Sequence, residues 1–128
     1  FAGSGAMGIE ALSRGAASCA FVERDRKALD AIRQNIATLG LGERTSVISG
    51  DVMTAVVAMR NVDLVLADPP YDFESWPRLL EILPAVLAPG GVVVAESGRE
   101  IKAPKGWEIL RSKRYGRAWV AFLQRAEV

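Results

Sequence analysis

The sequence predicts a doubly wound α/β domain whose mostly parallel sheet finishes in an antiparallel C-terminal hairpin. Three observations predict it. Short β-rich apolar runs alternate with longer stretches of helical periodicity, the βαβα pattern of a parallel sheet. Those runs end in a turn or an acidic residue, at the edge where open α/β sheets bind ligands. After Glu96 the pattern changes, and two apolar runs flank one glycine turn. With 128 residues, 50% hydrophobic and 24% charged, the chain is sized for a single core, and residues 1–128 are expected to form one domain.

The chain opens on Phe1-Ala2-Gly3-Ser4-Gly5, which reads as the turn after a first strand; that strand, central in such a sheet, is absent from the sequence. A helix is predicted from Ser4 to Arg14 and a strand from Cys19 to Glu23. Between Asp25 and Leu39, the residues Ala28, Ala31, Ile32, Asn35, Ile36 and Leu39 recur at three and four positions and share one helix face. Asp25 is placed to cap that helix and Gly40 to end it. A strand over Thr45 to Ser49, a helix over Val52 to Met59, a strand over Val62 to Ala67, a helix over Ser75 to Leu87 and a strand over Val92 to Glu96 follow. The hairpin is predicted as Trp107 to Arg114 and Ala118 to Gln124, joined through Tyr115-Gly116-Arg117.

Composition removes several kinds of chemistry. One cysteine, Cys19, and no histidine exclude an intrachain disulfide, a Cys/His zinc site and histidine acid–base catalysis, and no metal is expected. Apolar runs such as Val92 to Ala95 are far short of the roughly 20 residues of a membrane-spanning helix, so no membrane partner and a cytoplasmic location are expected. The net charge is +1, yet residues 99–128 hold 8 Lys+Arg against 3 Asp+Glu, where residues 1–98 hold 8 against 12. A basic tail reads as a solvated face or as a grip on phosphates.

Gly3-Ser4-Gly5-Ala6-Met7-Gly8 fits G-x-G-x-x-G: the first glycine permits the tight turn, the second lets a ligand approach the backbone, and the third allows close helix packing. Glu23 ends the next strand 20 residues after Gly3, where a carboxylate accepts from both ribose hydroxyls of a nucleoside, whether of NAD or of S-adenosylmethionine. Asp51 has two readings, an acceptor for an adenine amino group or a plain helix cap. Asp68-Pro69-Pro70-Tyr71 decides between the cofactors. The two prolines stiffen the backbone and remove two N–H donors. The Asp68 carboxylate and the Pro69 carbonyl then both accept from one NH₂ group, aiming its lone pair at a methyl carbon, and Tyr71 offers a face for an unpaired base. An NAD-dependent oxidoreductase leaves those four residues without a role.

These residues resemble one family. The run from Phe1 to Ala16, with Glu-Ala-Leu-Ser-Arg-Gly-Ala at its end, then Phe21-Val22-Glu23-Arg24-Asp25, Asp68-Pro69-Pro70-Tyr71 and the turn Arg114-Tyr115-Gly116 are similar to the bacterial 16S ribosomal RNA guanine-N2 methyltransferases. The resemblance implies a Rossmann-like methyltransferase sheet and S-adenosylmethionine as cofactor. It implies a cofactor loop at Ala2, Gly3, Ser4 and Gly5, a ribose ligand in Glu23, Arg24 beside the adenine, and Asp51 and Val52 against it. Asp68, Pro69, Pro70 and Tyr71 are implied as the catalytic loop that holds the guanine amine. The implied partner is ribosomal RNA or a small-subunit assembly particle, met by a monomer. Family members also carry a first strand and a basic N-terminal extension that this sequence lacks. DNA adenine-N6 and protein glutamine-N5 methyltransferases use similar proline motifs, and a non-catalytic nucleic-acid-binding module is the remaining alternative.

Overall fold

A computed structural model describes residues 1–126; Glu127, counted in the charge of the tail, and Val128 lie outside the described residues. The chain divides into two compact units, one of Phe1–Ala55 and one beginning at Val56.

In the first unit, β1 (Cys19–Glu23) and β2 (Thr45–Ser49) pair in parallel, with Cys19 opposite Thr45 and Glu23 opposite Ser49. The crossover between them is α2 (Arg26–Leu39). Asp25 caps it as expected, its carboxylate accepting from the Ala28 N–H at 2.9 Å, and Gly40 ends it at φ +67°. The buried seam of α2 is Leu29, Ile32 and Ile36, the last two packed with Phe21. Leu39, expected on that face, is 56% exposed, and the buried seam ends at Ile36.

Helix α1 (Ala6–Ser13) starts two residues later than the periodicity suggests, since Gly5 at φ +83° is outside helical geometry. Its far end is held from a distance: Arg44 donates through Nη2 to the Leu12 carbonyl (3.1 Å) and through Nε to that of Ala17 (3.3 Å). Those bonds tie the end of α1 and the segment after it to the residue just before β2. The helix predicted over Val52 to Met59 is α-helical only as α3 (Val52–Ala55). Val56–Ala58 tightens to a 3-10 turn, and Asn61 follows at φ +58°.

In the second unit, β3 (Val62–Ala67), β4 (Leu87–Ser97), β5 (Trp107–Tyr115) and β6 (Ala118–Arg125) form a sheet in the order β3-β4-β6-β5. β3 and β4 are parallel, linked through α4 (Trp76–Val86), while β6 runs antiparallel to β4 and to β5. The terminal hairpin is therefore present, with β6 between β4 and β5. β4 starts five residues before the predicted Val92: Leu87 pairs with Val62, pairing resumes at Leu64 with Val92, and residues 88–91 take up the register shift. Gly90 (φ +76°) makes that bend, and a Cβ on Gly91 would stand 2.9 Å from the Ala88 carbonyl oxygen.

Pro84 lies inside α4 and cannot donate to the carbonyl four residues earlier, that of Leu80. The indole Nε1 of Trp107 donates to that oxygen at 2.7 Å, so β5 supplies the bond that the proline withholds. Arg125 of β6 closes the end of the helix, with Nη1 on the Pro84 carbonyl (2.8 Å) and Nη2 on that of Ala88 (3.2 Å). Leu79, Leu80, Leu83 and Val86 of α4 are buried, as are Val93 and Ala95 of β4 and Ala121 and Leu123 of β6.

Candidate active site

The glycine turn of the first unit is held by four hydrogen bonds. Its Ala2 N–H donates to the Val22 carbonyl (3.2 Å), and Gly5 N–H closes the turn on the Ala2 carbonyl (2.9 Å). Asn35, the one polar residue in the periodic face of α2, donates from Nδ2 to the Ser4 carbonyl at 3.0 Å. Gly3 N–H donates to Glu23 Oε1 at 2.8 Å, bringing the turn and the end of β1 together. The other Glu23 oxygen accepts from the backbones of Arg24 and Asp25, each at 2.9 Å. Partial burial works to raise the Glu23 carboxyl, but the Asp25, Gly3 and Arg24 N–H groups outweigh it and hold the group below the usual glutamate range.

This arrangement refines the expected glycine roles. Gly3, at φ +57° with nothing within 4 Å of a Cβ position, is the open backbone position. Gly5 faces inward, its Cβ position 3.3 Å from Phe21 Cε1 and 3.4 Å from Ile32 Cγ1, so it serves packing rather than ligand approach. Gly8 does what the pattern predicts: a Cβ there would be 2.4 Å from Phe21 Cε1 and 2.8 Å from Cys19 Sγ, so only glycine lets α1 approach β1 this closely. That close approach also buries part of the Cys19 thiol and raises it above its ordinary value.

An ionised carboxylate has about four lone-pair positions. Three of those on Glu23 are taken by backbone N–H groups, which leaves an acceptor on Oε1 for a hydroxyl above the open Gly3. A nucleoside fits this donor and acceptor set, with one ribose hydroxyl on Glu23 directly. Holding a second hydroxyl requires loosening one of the turn's own bonds. Asp51 sits beside this edge, since Gly50 N–H donates to the Glu23 carbonyl at 3.0 Å. Asp51 caps α3 here, its Oδ1 accepting from Met53 N–H at 2.8 Å. Val52 begins α3, half-buried, and Arg24 is exposed.

In the second unit, Asp68 follows the last residue of β3. Pro69 is buried, and Asp68, Pro70 and Tyr71 are exposed, Tyr71 at 65%. The turn closes on itself with Phe73 N–H donating to the Pro70 carbonyl at 2.9 Å, so it is the Pro70 oxygen that the turn consumes, not that of Pro69. Phe73 and Trp76 meet edge to face at 5.3 Å, anchoring the turn to the start of α4. The Tyr71 ring rests beside Gly98, where a Cβ would be 3.2 Å from Tyr71 Cδ1.

In the basic hairpin, Arg111, Lys113 and Tyr115 alternate along β5 on one face, as strand geometry requires. Lys113 Nζ lies 5.2 Å from the Tyr115 ring centroid. Arg114 is engaged elsewhere, its Nε donating to the Gly116 carbonyl at 2.8 Å within the turn. Among the described residues, no group of three or more His, Cys, Asp or Glu is arranged to hold a metal ion, and no helix is long and apolar enough to cross a membrane.

Three residues that matter here were not singled out in the sequence for a role at the site: Asn35, Glu96 and Gly98. Asn35 left a signal, a polar residue in an apolar helix face. Glu96 and Gly98 left none beyond their place at the end of a strand.

Comparison with known proteins agrees with this architecture. The chain is 35% identical to the "Putative rRNA methyltransferase YlbH" of Bacillus subtilis, over 98% of its own length and 73% of that protein. It is 32% identical to the "Ribosomal RNA small subunit methyltransferase D" of Escherichia coli K12, over 98% of its length and 66% of the relative. Among solved structures, "Putative methyltransferase yhhF from Escherichia coli" superposes with a TM-score of 0.84 at 32% identity, covering 98% of this chain and 72% of that one. The chain thus spans about two thirds to three quarters of the length of these relatives. The expected Rossmann-like methyltransferase fold, a mixed sheet with parallel strands and an antiparallel hairpin, is the fold of its neighbours. The family described as Conserved hypothetical protein 95 matches residues 1–124, and the chain belongs to it.

Proposed function

We propose that this protein transfers a methyl group from S-adenosylmethionine to the exocyclic N2 amine of a guanine in 16S ribosomal RNA, presented as free RNA or in a small-subunit assembly particle. The observation that carries the reading is the Asp68–Tyr71 turn at the carboxyl end of β3, with an exposed carboxylate at its start and an exposed ring at its end. Relatives named as rRNA methyltransferases support the substrate class. In this reading residues 1–128 act as one catalytic domain, a cytoplasmic monomer without a metal.

S-adenosylmethionine, when bound, supplies an activated methyl group on a sulfonium that is already a good leaving group. The turn from Ala2 through Gly3 and Ser4 to Gly5 receives the nucleoside, Glu23 accepts from its ribose, and Arg24, Asp51 and Val52 border the adenine. Asp51 retains Oδ2 for that purpose while Oδ1 caps α3. Asp68 and the Pro69 carbonyl accept from the two N–H bonds of the guanine amine. That pairing turns the nitrogen lone pair toward the methyl carbon, and the Asp68 carboxylate offsets the positive charge that builds on nitrogen. Pro70 stiffens the turn, and Tyr71 stacks on the base. With S-adenosylmethionine held by these residues, the amine would take its methyl group, the sulfonium would leave as the neutral thioether, and the amine proton would pass from the Asp68 side of the site to solvent.

The test is methyl transfer to small-subunit rRNA lacking the modification, with the product nucleoside identified by mass. Asp68→Ala is expected to abolish transfer while leaving affinity for S-adenosylhomocysteine within a factor of about two. Tyr71→Ala is expected to weaken the hold on RNA by roughly 1–3 kcal/mol, the range of one base–aromatic stack. Wild-type transfer rates in Asp68→Ala, or a methylated adenine as product, would overturn the assignment.

A further inference from the structure

The carboxyl edge of the second unit holds another carboxylate that the proline motif does not include. β3 and β4 are parallel and in register up to Ala67 opposite Ala95, so the next residues, Asp68 just past β3 and Glu96 still within β4, stand side by side. Neighbouring strands lie about 4.8 Å apart, which puts carboxylates at adjacent strand ends within reach of each other. Two residues further, Gly98 lies against Tyr71, its Cβ position 3.2 Å from Cδ1 and 3.4 Å from Cβ and Cγ of that ring residue. The end of β4 therefore accompanies the proline motif from its first residue to its last.

We propose that Glu96 is a positioning residue of the target-amine site, sharing a carboxyl proton with Asp68 in a side-chain hydrogen bond that fixes the Asp68 carboxylate for the incoming amine. This rests on the methyltransferase reading of Asp68. Two adjacent carboxylates do not both ionise without penalty, and a proton held between them removes the repulsion. The hydrogen bond to Asp68, then partial burial, then the charge of Asp68 together push Glu96 up to about 7. Among the described residues, no cation on a neighbouring strand offsets this. On β6 the partner of Glu96 is Val120, flanked by Trp119 and Ala121. The charged residue next in register is Lys113 on β5, two strands away and turned to Tyr115. On its own strand the flanking residues, Ala95 and Ser97, are uncharged.

The protonated Glu96 donates to one Asp68 oxygen and leaves the other oxygen for the target amine. As pH rises through about 7 the proton is lost, the two carboxylates repel, and Asp68 loses its brace. Glutamine at position 96 donates the same hydrogen bond and has no proton to lose.

The experiment is carried out on the whole chain with two readouts. Carbon-13 NMR of the side-chain carboxyls gives the Glu96 titration, assigned by its loss in Glu96→Gln. A midpoint near 7 in wild type that falls toward the ordinary glutamate value of about 4.3 in Asp68→Ala is expected. An ordinary midpoint in wild type overturns the shared proton. Methyl transfer from S-adenosylmethionine to unmodified small-subunit rRNA gives the second readout. Wild-type kcat is expected to fall as pH rises through about 7, Glu96→Gln to keep the low-pH kcat at all pH values, and Glu96→Ala to lose about tenfold to a hundredfold in kcat with KM for S-adenosylmethionine unchanged. Equal, pH-independent losses in both variants overturn the positioning role. The titration needs no substrate, so the two readings fail differently. A wild type that titrates near 7 but transfers no methyl group counts against the methyltransferase reading, and an active enzyme with an ordinary Glu96 counts against this inference alone.

Discussion

A single methyl group added at Gly8 tests whether the third glycine of the motif is a packing device. A Cβ there would stand 2.4 Å from Phe21 Cε1, 2.9 Å from Phe21 Cζ and 2.8 Å from Cys19 Sγ. Optimal carbon–carbon contacts lie at about 3.5–4.0 Å, so the overlap with the ring is on the order of 1 Å. The ring cannot swing aside cheaply, since Phe21 is 2% exposed and packed against Ile32 and Ile36. Relief must come from α1 backing away from β1. Overpacking a core costs about 1–3 kcal/mol, and alanine in place of a helical glycine returns about 1 kcal/mol, so Gly8→Ala should lose up to about 2 kcal/mol net. The displacement also pulls on the turn preceding α1, where Gly3 N–H is bonded to Glu23, so affinity for S-adenosylhomocysteine should fall with it. Gly3→Ala is the comparison: it meets no atom within 4 Å but sits at φ +57°, so its cost of about 1–2 kcal/mol is backbone strain alone. Urea unfolding midpoints measure both variants, and Phe21→Leu tells them apart. Combined with Gly8→Ala it should recover part of the loss, and combined with Gly3→Ala it should add independently. A Gly8→Ala protein as stable as wild type, with no coupling to Phe21→Leu, would refute the packing argument.

Two further outcomes follow from the second unit. Trp107→Phe removes the donor on the Leu80 carbonyl and should cost about 1–3 kcal/mol for a buried acceptor left unpaired. In a Pro84→Ala background, where a backbone N–H returns to that carbonyl, the cost should shrink, as a double-mutant cycle by urea denaturation will show. Neutralising Arg111 and Lys113 together should weaken RNA binding and flatten its dependence on salt by about two phosphate contacts, read from affinities across ionic strength. An unchanged slope returns that face to ordinary solvation.

The elements were legible because their signals are local. β1, β2 and β3 have the bounds the sequence predicts, and α2 is bounded by Asp25 and Gly40, whose cap and left-handed turn need only neighbouring residues. Where the sequence misled, the deciding contact came from elsewhere. The early start of β4 depends on Val62 pairing with Leu87 across a crossover helix, and no pattern within residues 87–91 announces it. The helix expected over Ser75 to Leu87 is present as α4, but what carries it through Pro84 was not legible: an indole 27 residues beyond the Leu80 carbonyl it satisfies. Read locally, Gly5 looks like a place for a ligand to approach, and only the packing of Phe21 and Ile32 shows it facing inward.

The same rule separates the parts of the candidate site. Glu23 and Asp68 were findable because each stands at the carboxyl end of an apolar strand in its own sheet, where open α/β sheets bind ligands. Glu96 stands one residue before the end of an apolar strand, yet nothing in its own neighbourhood distinguishes it from a solvated glutamate. Its significance is a property of a pair: in a parallel sheet, residues 28 positions apart become neighbours once Ala67 is set opposite Ala95. Two acidic residues, each following an alanine at the carboxyl end of parallel neighbouring strands, therefore constitute a sequence signal only when strand order is known. Here β3 and β4 are joined by one helix and are adjacent, so the pairing of Asp68 with Glu96 follows from topology. A site residue of this kind is found by reading strand ends against one another, and its electrostatics then depend on the distance between strands rather than on any motif.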